Sequence, residues 1–135
     1  MNCTATVRKV GDLAIVDLKG TFTIPDASGI IRGTLAGALE SGSHNILLNL
    51  AQVEYMDSAA GIGELVSSYT SAVRLGARLK LLRAGKNIHH VLHLLRLDTI
   101  FEFHDDEGAA IESFRGRRAG AAAEPPGGSR SESQL

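Results

Sequence analysis

The sequence predicts an α/β domain in which helices pack on a mixed β-sheet. The first observation is a pair of β-branched stretches separated by Gly11-Asp12, two residues that tolerate the positive φ angles of a tight turn. The second observation is that helix and strand signals alternate after this pair, as in strands joined by crossover helices. A hairpin followed by such alternation gives a sheet that contains both antiparallel and parallel strand pairs.

The predicted elements follow the order strand, strand, helix, strand, helix, strand, helix, strand, helix. We expect strands at 4–10, 13–19, 45–50, 78–83 and 99–104. We expect helices at about 26–40, 62–75, 88–95 and 106–114. In the first of these helices Asp26 is suited to capping the start, and Gly42 follows the end.

Two helices have apolar residues at the spacing of a buried face. The predicted inner face of the second helix consists of Ile62, Leu65, Val66, Tyr69 and Val73. That of the third consists of Ile88, Val91, Leu92 and Leu95. The predicted outer face of the second helix carries Gly63, Ser67, Ser68 and Ser71. These residues are small and uncharged, so we interpret this face as a docking surface.

The composition fits a globular protein of the cytoplasm. The chain has 135 residues, 44% of them hydrophobic and 21% charged, and a formal net charge of −1. This charge argues against binding to nucleic acid or to an acidic membrane. The single cysteine, Cys3, fits a reducing compartment. No apolar run reaches the ~18 residues that span a bilayer, and we see no signal-peptide core, so we expect no membrane partner.

The sequence divides into one domain and a tail. Residues 1–115 contain all the predicted elements, and residues 116–135 are rich in Gly, Ala, Pro, Ser and Arg. A segment with almost no bulky apolar residue cannot bury enough surface to offset the entropy lost on ordering. We therefore interpret 116–135 as a disordered tail.

Common catalytic and cofactor signatures are missing from the sequence. It contains no GxGxxG, GxxxxGK[ST], GxSxG or CxxC pattern. His89 and His93 have the four-residue spacing that zinc-binding helices use, and His90 lies between them, but neither a third ligand nor a general base accompanies them. We therefore expect no catalytic residue, cofactor or metal, and we interpret the histidines as facing solvent or a partner.

The segment VEYMDSAAGIGEL, residues 53–65, is the most informative part of the chain. A strand leads into Asp57-Ser58 and a helix follows at once, which puts the Ser58 hydroxyl near unpaired backbone N–H groups. Capping is the ordinary role of a serine there. However, four of the five residues that follow are small, and they leave the hydroxyl open to another protein. They are Ala59, Ala60, Gly61 and Gly63.

This segment, together with the later RLKLL and LLRLDTIFEF, resembles the STAS domain of bacterial anti-sigma-factor antagonists over residues 4–115. The resemblance implies a single mixed sheet of four to five strands, with about four helices packed mainly on one side. It also implies that Ser58, directly after Asp57, is phosphorylated by an anti-sigma factor that is a serine kinase. The unmodified protein is expected to bind that kinase, as a monomer or weak homodimer, and phosphorylation is expected to end the binding.

The resemblance also assigns a partner-binding surface. Its expected residues are Asp26, Asp57, Ala59, Ala60, Gly61, Gly63 and Ser67. The family normally has one small residue between the serine and the first glycine, whereas this chain has Ala59 and Ala60. The additional residue either rotates Ser58 by ~100° around the helix or is absorbed as a bulge in the turn. A STAS module that is not phosphorylated, and serves as a scaffold, transporter-linked regulator or nucleotide sensor, is the alternative.

Overall fold

The computed structural model describes residues 3–24, 27–57 and 61–120. Within these ranges the elements follow the predicted order. They are β1 (Cys3–Val10), β2 (Leu13–Phe22), α1 (Ile30–Glu40), β3 (Asn45–Met56), α2 (Gly63–Arg74), β4 (Arg78–Leu82), α3 (Lys86–Leu94), β5 (Glu102–His104) and α4 (Glu107–Gly120).

The strands form one sheet in the order β1-β2-β3-β4-β5. β1 and β2 make the predicted antiparallel hairpin, and Gly11 in its turn has a φ of 64°. The pairs β2–β3, β3–β4 and β4–β5 are parallel. The mixed sheet is thereby confirmed. Because four neighbouring strands run in the same direction, their carboxyl ends lie along one edge of the sheet.

Alternate residues of the central strands face two separate cores. On one face, side chains such as Val16 of β2 and Leu48 of β3 pack against α1, α2 and α3. On the opposite face, Ile15 and Leu47 pack against Phe114 of α4. Side chains in a strand alternate between the two faces, so each central strand contributes to both cores. Three helices on one face and one on the other confirm the predicted packing mainly on one side.

Charged side chains join α4 to the sheet. Arg8 of β1 donates hydrogen bonds to Asp17 of β2, with Nε–Oδ2 at 2.6 Å, and to Glu107 of α4. Lys80 of β4 is only 3% exposed. Its Nζ lies 2.9 Å from Glu102 Oε2 and 2.8 Å from the hydroxyl of Ser113. These contacts link α4 to β1, β2, β4 and β5.

Several element bounds differ from the prediction. α1 begins at Ile30, not near 26, because Gly29 has a left-handed φ of 83° that is incompatible with a helix running through it. β3 continues to Met56 because its second half pairs with residues 19–22 of β2. β5 begins only at Glu102. α4 extends to Gly120, beyond the predicted domain limit at 115, and residues 121–135 lie outside the described ranges.

Two residues of the predicted inner faces point outward. Val73 of α2 is 54% exposed and Leu95, just after α3, is 52% exposed. In α2 the neighbouring Ala72 takes the buried position, and in α3 the last buried side chain is Leu92. Both exposed residues lie at the carboxyl end of their helix. Within the described ranges, no helix has both the length and the apolarity to cross a membrane.

Candidate functional site

The candidate site lies where β3 ends and α2 begins, at the edge formed by the carboxyl ends of the parallel strands. Parallel α/β sheets commonly bind their ligands and partners at this edge. Asp57 follows β3 directly, and Gly61 and Ile62 lead into α2. Ser58, Ala59, Ala60 and Asp26 lie outside the described residues, so their predicted roles stay predictions.

Backbone and side-chain hydrogen bonds fix Asp57 to the end of β2. Its N–H donates to the carbonyl of Phe22, with the two atoms 2.9 Å apart. Its carboxylate Oδ2 accepts a hydrogen bond from the N–H of Ile24, also at 2.9 Å. A carboxylate that accepts a backbone N–H makes a stronger bond than a neutral acceptor. Asp57 therefore joins the end of β3 to Phe22 and Ile24 at the end of β2.

A wide turn carries the chain from Asp57 into α2. The N–H of Ile62 donates to the carbonyl of Asp57 at 3.0 Å, a step of five residues and one longer than the α-helical step. Gly61 and Ile62 continue this π-type geometry up to Gly63, the first residue of α2. A turn of this kind accommodates one additional residue without changing the register of the helix that follows.

Gly61 is required by the packing of the site. A Cβ atom at this position would lie 1.7 Å from Cγ and 3.0 Å from Cβ of Met56, the buried last residue of β3. Only a glycine lets the chain pass this close to the end of the strand. The first glycine of the sequence motif thus lets the chain pack directly against the end of β3 just before α2 begins.

The predicted docking face of α2 is only partly exposed. Gly63 and Ser67 face outward, as expected, and Ser71 is half-buried. Ser68 is 4% exposed, so its assignment to the outer face is wrong. It lies one helical turn after Glu64, which is also buried, and both side chains are on the face of α2 that packs against α1. Within the described residues, the Ser68 hydroxyl has no hydrogen-bond partner.

Glu64 is the residue that the sequence analysis missed. Its carboxylate is almost fully buried and accepts hydrogen bonds from the N–H groups of Gly29, at 2.6 Å, and Arg32, at 3.1 Å. These groups belong to the start of α1, where the N-cap Gly29 has no side chain to offer. The glycine N-cap is the only sequence signal for an external acceptor, and it does not identify which residue supplies it.

A groove of about 490 Å³ opens beside the start of α2. Tyr55 and Ile62 line one side, and Lys86, Ile88 and His90 of α3 line the other. β4 pairs with β3 only from Asn45 to Asn49, so the last part of β3 projects past β4 and forms a wall of the groove. A protein that docked on the start of α2 would therefore also meet this recess.

The histidines are spread over separate contacts. His93 Nδ1 lies 3.0 Å from Asp98 Oδ2, and the ring of His89 stacks on Phe103 with the centroids 4.0 Å apart. His104 Nε2 lies 2.6 Å from Glu102 Oε2. Among the residues that the structure describes, no group of three His, Cys, Asp or Glu side chains is placed to hold a metal ion.

Solved structures with this fold include anti-sigma-factor antagonists. The unphosphorylated form of the anti-sigma factor antagonist SpoIIAA is 21% identical, covers 84% of this chain and 97% of its own, and has a TM-score of 0.71. The phosphorylated form of Bacillus SpoIIAA is 20% identical over 83% of this chain and 100% of its own, with a TM-score of 0.68. A proposed anti-sigma factor antagonist from Thermotoga maritima is 25% identical, covers 82% and 94%, and has a TM-score of 0.71.

No sequence among curated proteins matches this chain at a significant level. The sequence pattern of the STAS domain family, by contrast, matches residues 4–110 and therefore most of the chain. The sheet order, the packing of three helices on one face, and the glycine-dependent entry into α2 all lie within this match. This chain belongs to the STAS domain family.

Proposed function

We propose that this protein is an anti-sigma-factor antagonist that works by switching partners. In its unmodified form it binds an anti-sigma factor with serine kinase activity, and phosphorylation of Ser58 by that kinase ends the binding. The observation that carries the proposal is the Asp57-Ser58 pair, which directly follows β3 and precedes the buried Gly61-Ile62 entry into α2. The fold similarity to SpoIIAA, which has been solved in unphosphorylated and phosphorylated forms, supports the proposal.

The hydrogen bond between the Ile62 N–H and the Asp57 carbonyl supports this proposal. The chain has one small residue more than the family pattern between Ser58 and Gly61. The hydrogen bond from Ile62 to Asp57 spans five residues, one more than the α-helical step, as expected where one additional residue is inserted ahead of a helix. This favours absorption in the turn over a rotation of the whole motif.

The charge of a phosphate explains why the switch would act on the complex. A phosphoserine carries about −1.5 to −2 charges at neutral pH. Near a helix N-terminus the macrodipole would favour this charge by ~0.3–1 kcal/mol, so the folded domain should tolerate it. Burying the same charge unpaired in an interface costs several kcal/mol. At about 1.4 kcal/mol per factor of ten, binding would weaken about a thousandfold.

The proposal assigns no catalytic residue to this chain, because the kinase would bring the nucleotide and its metal ion. It places the protein in the cytoplasm, where sigma factors act. The partner-binding surface would consist of the segment around Ser58, the exposed Gly63 and Ser67 of α2, and Asp26 in the segment before α1.

The decisive experiment incubates the protein with ATP, Mg²⁺ and the anti-sigma serine kinase of the same organism. We expect the intact mass to rise by ~80 Da, the mass of one phosphate. The matched control is Thr70→Ala, because Thr70 carries an exposed hydroxyl on α2 and is not part of the proposed partner-binding surface. Thr70→Ala should gain the phosphate, whereas Ser58→Ala should bind the kinase without gaining it. Ser58→Asp should fold normally and lose kinase binding.

An unchanged mass would favour a second function. The inserted small residue, Ala59 or Ala60, is the observation that supports a STAS module that is not phosphorylated. Such a module would act as a scaffold, a transporter-linked regulator or a nucleotide sensor. Equal kinase affinity for wild type and Ser58→Asp would also contradict the phosphorylation switch.

A further inference from the structure

Glu64 caps a helix other than its own. The N–H of the N-cap Gly29 and the N–H of Arg32, three residues later, are the two donors that a capping box satisfies. In a capping box two side chains of one helix share this work. Here the single carboxylate of Glu64 accepts both hydrogen bonds, at 2.6 and 3.1 Å, from across the α1–α2 contact.

The surroundings of Glu64 suit a hydrogen-bond acceptor at this place. It lies in the first turn of α2 and accepts from the first turn of α1, so the positive ends of two helix dipoles meet at one carboxylate. The first turn of α1 has no acidic residue of its own. A carboxylate that is 4% exposed needs such hydrogen bonds, because its burial would otherwise be costly.

Asp57 accepts a hydrogen bond from the other end of the chain between β2 and α1. The chain between β2 and α1 is held at Ile24 by the Asp57 carboxylate and at Gly29 by the Glu64 carboxylate. Asp57 and Glu64 both belong to the segment that leads from β3 into α2. The two segments therefore share a bond at each end, and Asp26 lies between these two ties in the sequence.

We infer that Glu64 is a positioning residue that caps α1 and thereby holds the start of α1, from Gly29 to Arg32, against the start of α2 as one preformed surface. Its role in recognition rests on the proposed function, which assigns both segments to the kinase. A preformed surface spares the complex the cost of ordering it at the moment of binding. Loss of the hydrogen bonds that Glu64 accepts should therefore weaken binding to the kinase but leave the rate of phosphate transfer unaffected.

The test uses Glu64→Gln, with Ser68→Ala as the matched control. Glutamine has nearly the same shape, but it has one oxygen acceptor in place of two, and its amide N–H₂ would face a backbone donor. Ser68 is buried one turn further along the same face of α2, and its hydroxyl has no partner among the described residues. Ser68→Ala thus changes the same contact without removing a hydrogen bond.

The first measurement is amide hydrogen exchange of the full chain by NMR. In Glu64→Gln at least one of the two amides, that of Gly29 or that of Arg32, should exchange about tenfold faster, because one of the two acceptor oxygens is lost. The amides of Ile15 in β2 and Leu47 in β3, whose side chains pack on the α4 side of the sheet, should keep their wild-type rates. Ser68→Ala should leave all of these rates unchanged. Unchanged exchange of Gly29 and Arg32 in Glu64→Gln would overturn the inference.

The second measurement is phosphorylation kinetics with the anti-sigma serine kinase. We expect the KM for Glu64→Gln to rise about tenfold with kcat within about twofold of wild type, because a lost preorganised surface weakens binding and not the chemical step. Faster exchange with an unchanged KM would overturn the role in recognition. A wild-type chain that gains no phosphate would refute the proposed function and that role together, while the exchange rates would still decide whether Glu64 caps α1.

Discussion

Met56 fills the space that a side chain at position 61 would need. The Cγ of Met56 lies 1.7 Å from the place of a Cβ on Gly61, although the two residues are on opposite sides of the turn between β3 and α2. The methionine is buried, so it cannot move out into solvent without exposing apolar surface. The end of the strand and the entry into the helix are therefore packed as a single unit.

Gly61→Ala should destabilise the fold by about 1–3 kcal/mol, the usual cost of forcing a methyl group into a packed site. Urea unfolding followed by circular dichroism measures this change. The matched control is Gly33→Ala in the exposed interior of α1, where a Cβ has no neighbour within 4 Å. That substitution should stabilise the protein by about 0.5–1 kcal/mol, because alanine is the better helix former. Equal effects at the two positions would contradict the packing argument.

Removing the obstructing side chain should relieve the clash. In a Met56→Ala background, Gly61→Ala should cost less than it does in wild type, because Met56 Cγ no longer occupies the space. The two residues are in contact, so their effects on the free energy of unfolding should not add. A double-mutant cycle with urea unfolding measures this coupling. Additive effects would contradict the conclusion that Met56 is what requires a glycine at position 61.

Glu102→Gln should destabilise the protein by about 1–3 kcal/mol, because Lys80 loses the negative charge that offsets its burial. Lys80 is 3% exposed, and its Nζ lies 2.9 Å from Glu102 Oε2. The control is Glu112→Gln, which breaks the exposed contact between Glu112 and Arg115 on α4. That change should cost less than about 0.5 kcal/mol. Thermal unfolding at pH 7 separates the two variants, and a similar loss in both would refute the special role of Lys80.

The stability of the protein should fall in acid. Hydrogen bonds from Arg8 hold the pKa of Asp17 below its usual value, against the opposing effect of burial. Burial works against ionisation of Glu102, but its contacts with Lys80 and His104 outweigh this and lower its pKa. A carboxyl group whose pKa is lower in the folded state stabilises the fold above its unfolded-state pKa. That contribution is lost as the pH falls through the folded-state pKa.

The measurement is the free energy of unfolding between pH 7 and pH 2. The contribution of Asp17 and Glu102 to this free energy should stay constant from pH 7 down to about pH 5. It should decline once the pH falls below their unfolded-state pKa values, near pH 4. Asp17→Asn should be less stable at neutral pH and should show a shallower decline in acid. A variant curve parallel to that of wild type would mean that Asp17 does not contribute to the acid response.

The order of the elements was predictable because each signal is local. The Gly11-Asp12 turn and the apolar spacing of the helices depend only on nearby residues. The second half of β3 was not predictable in this way. Residues 51–56 are mostly exposed and gain their strand conformation from pairing with β2, which is distant in the sequence. Tertiary pairing decides such a segment, whatever its own pattern.

The sequence motif of the candidate site was predictable, but the residues that pack and cap the helices around it were not. Asp57, Gly61 and Gly63 could be identified from the sequence, and Gly61 and Gly63 lie at the start of α2 as expected. The role of Glu64 depends on the contact between α1 and α2, which local sequence patterns do not show. Ser68 was assigned to the wrong face because it is buried by the same contact. A helix that packs on a neighbouring helix as well as on the sheet has a wider buried face than apolar spacing reveals.

The position of α4 separates two properties of the molecule. The ion pairs of Arg8 and Lys80 lie on the α4 side of the sheet, whereas Asp57, Gly61 and Glu64 belong to the layer of α1 and α2. Substitutions on the α4 side can therefore change tolerance of acid without altering the shape of the surface at α2. Related chains could therefore differ in their stability in acid while they keep the same surface at α2.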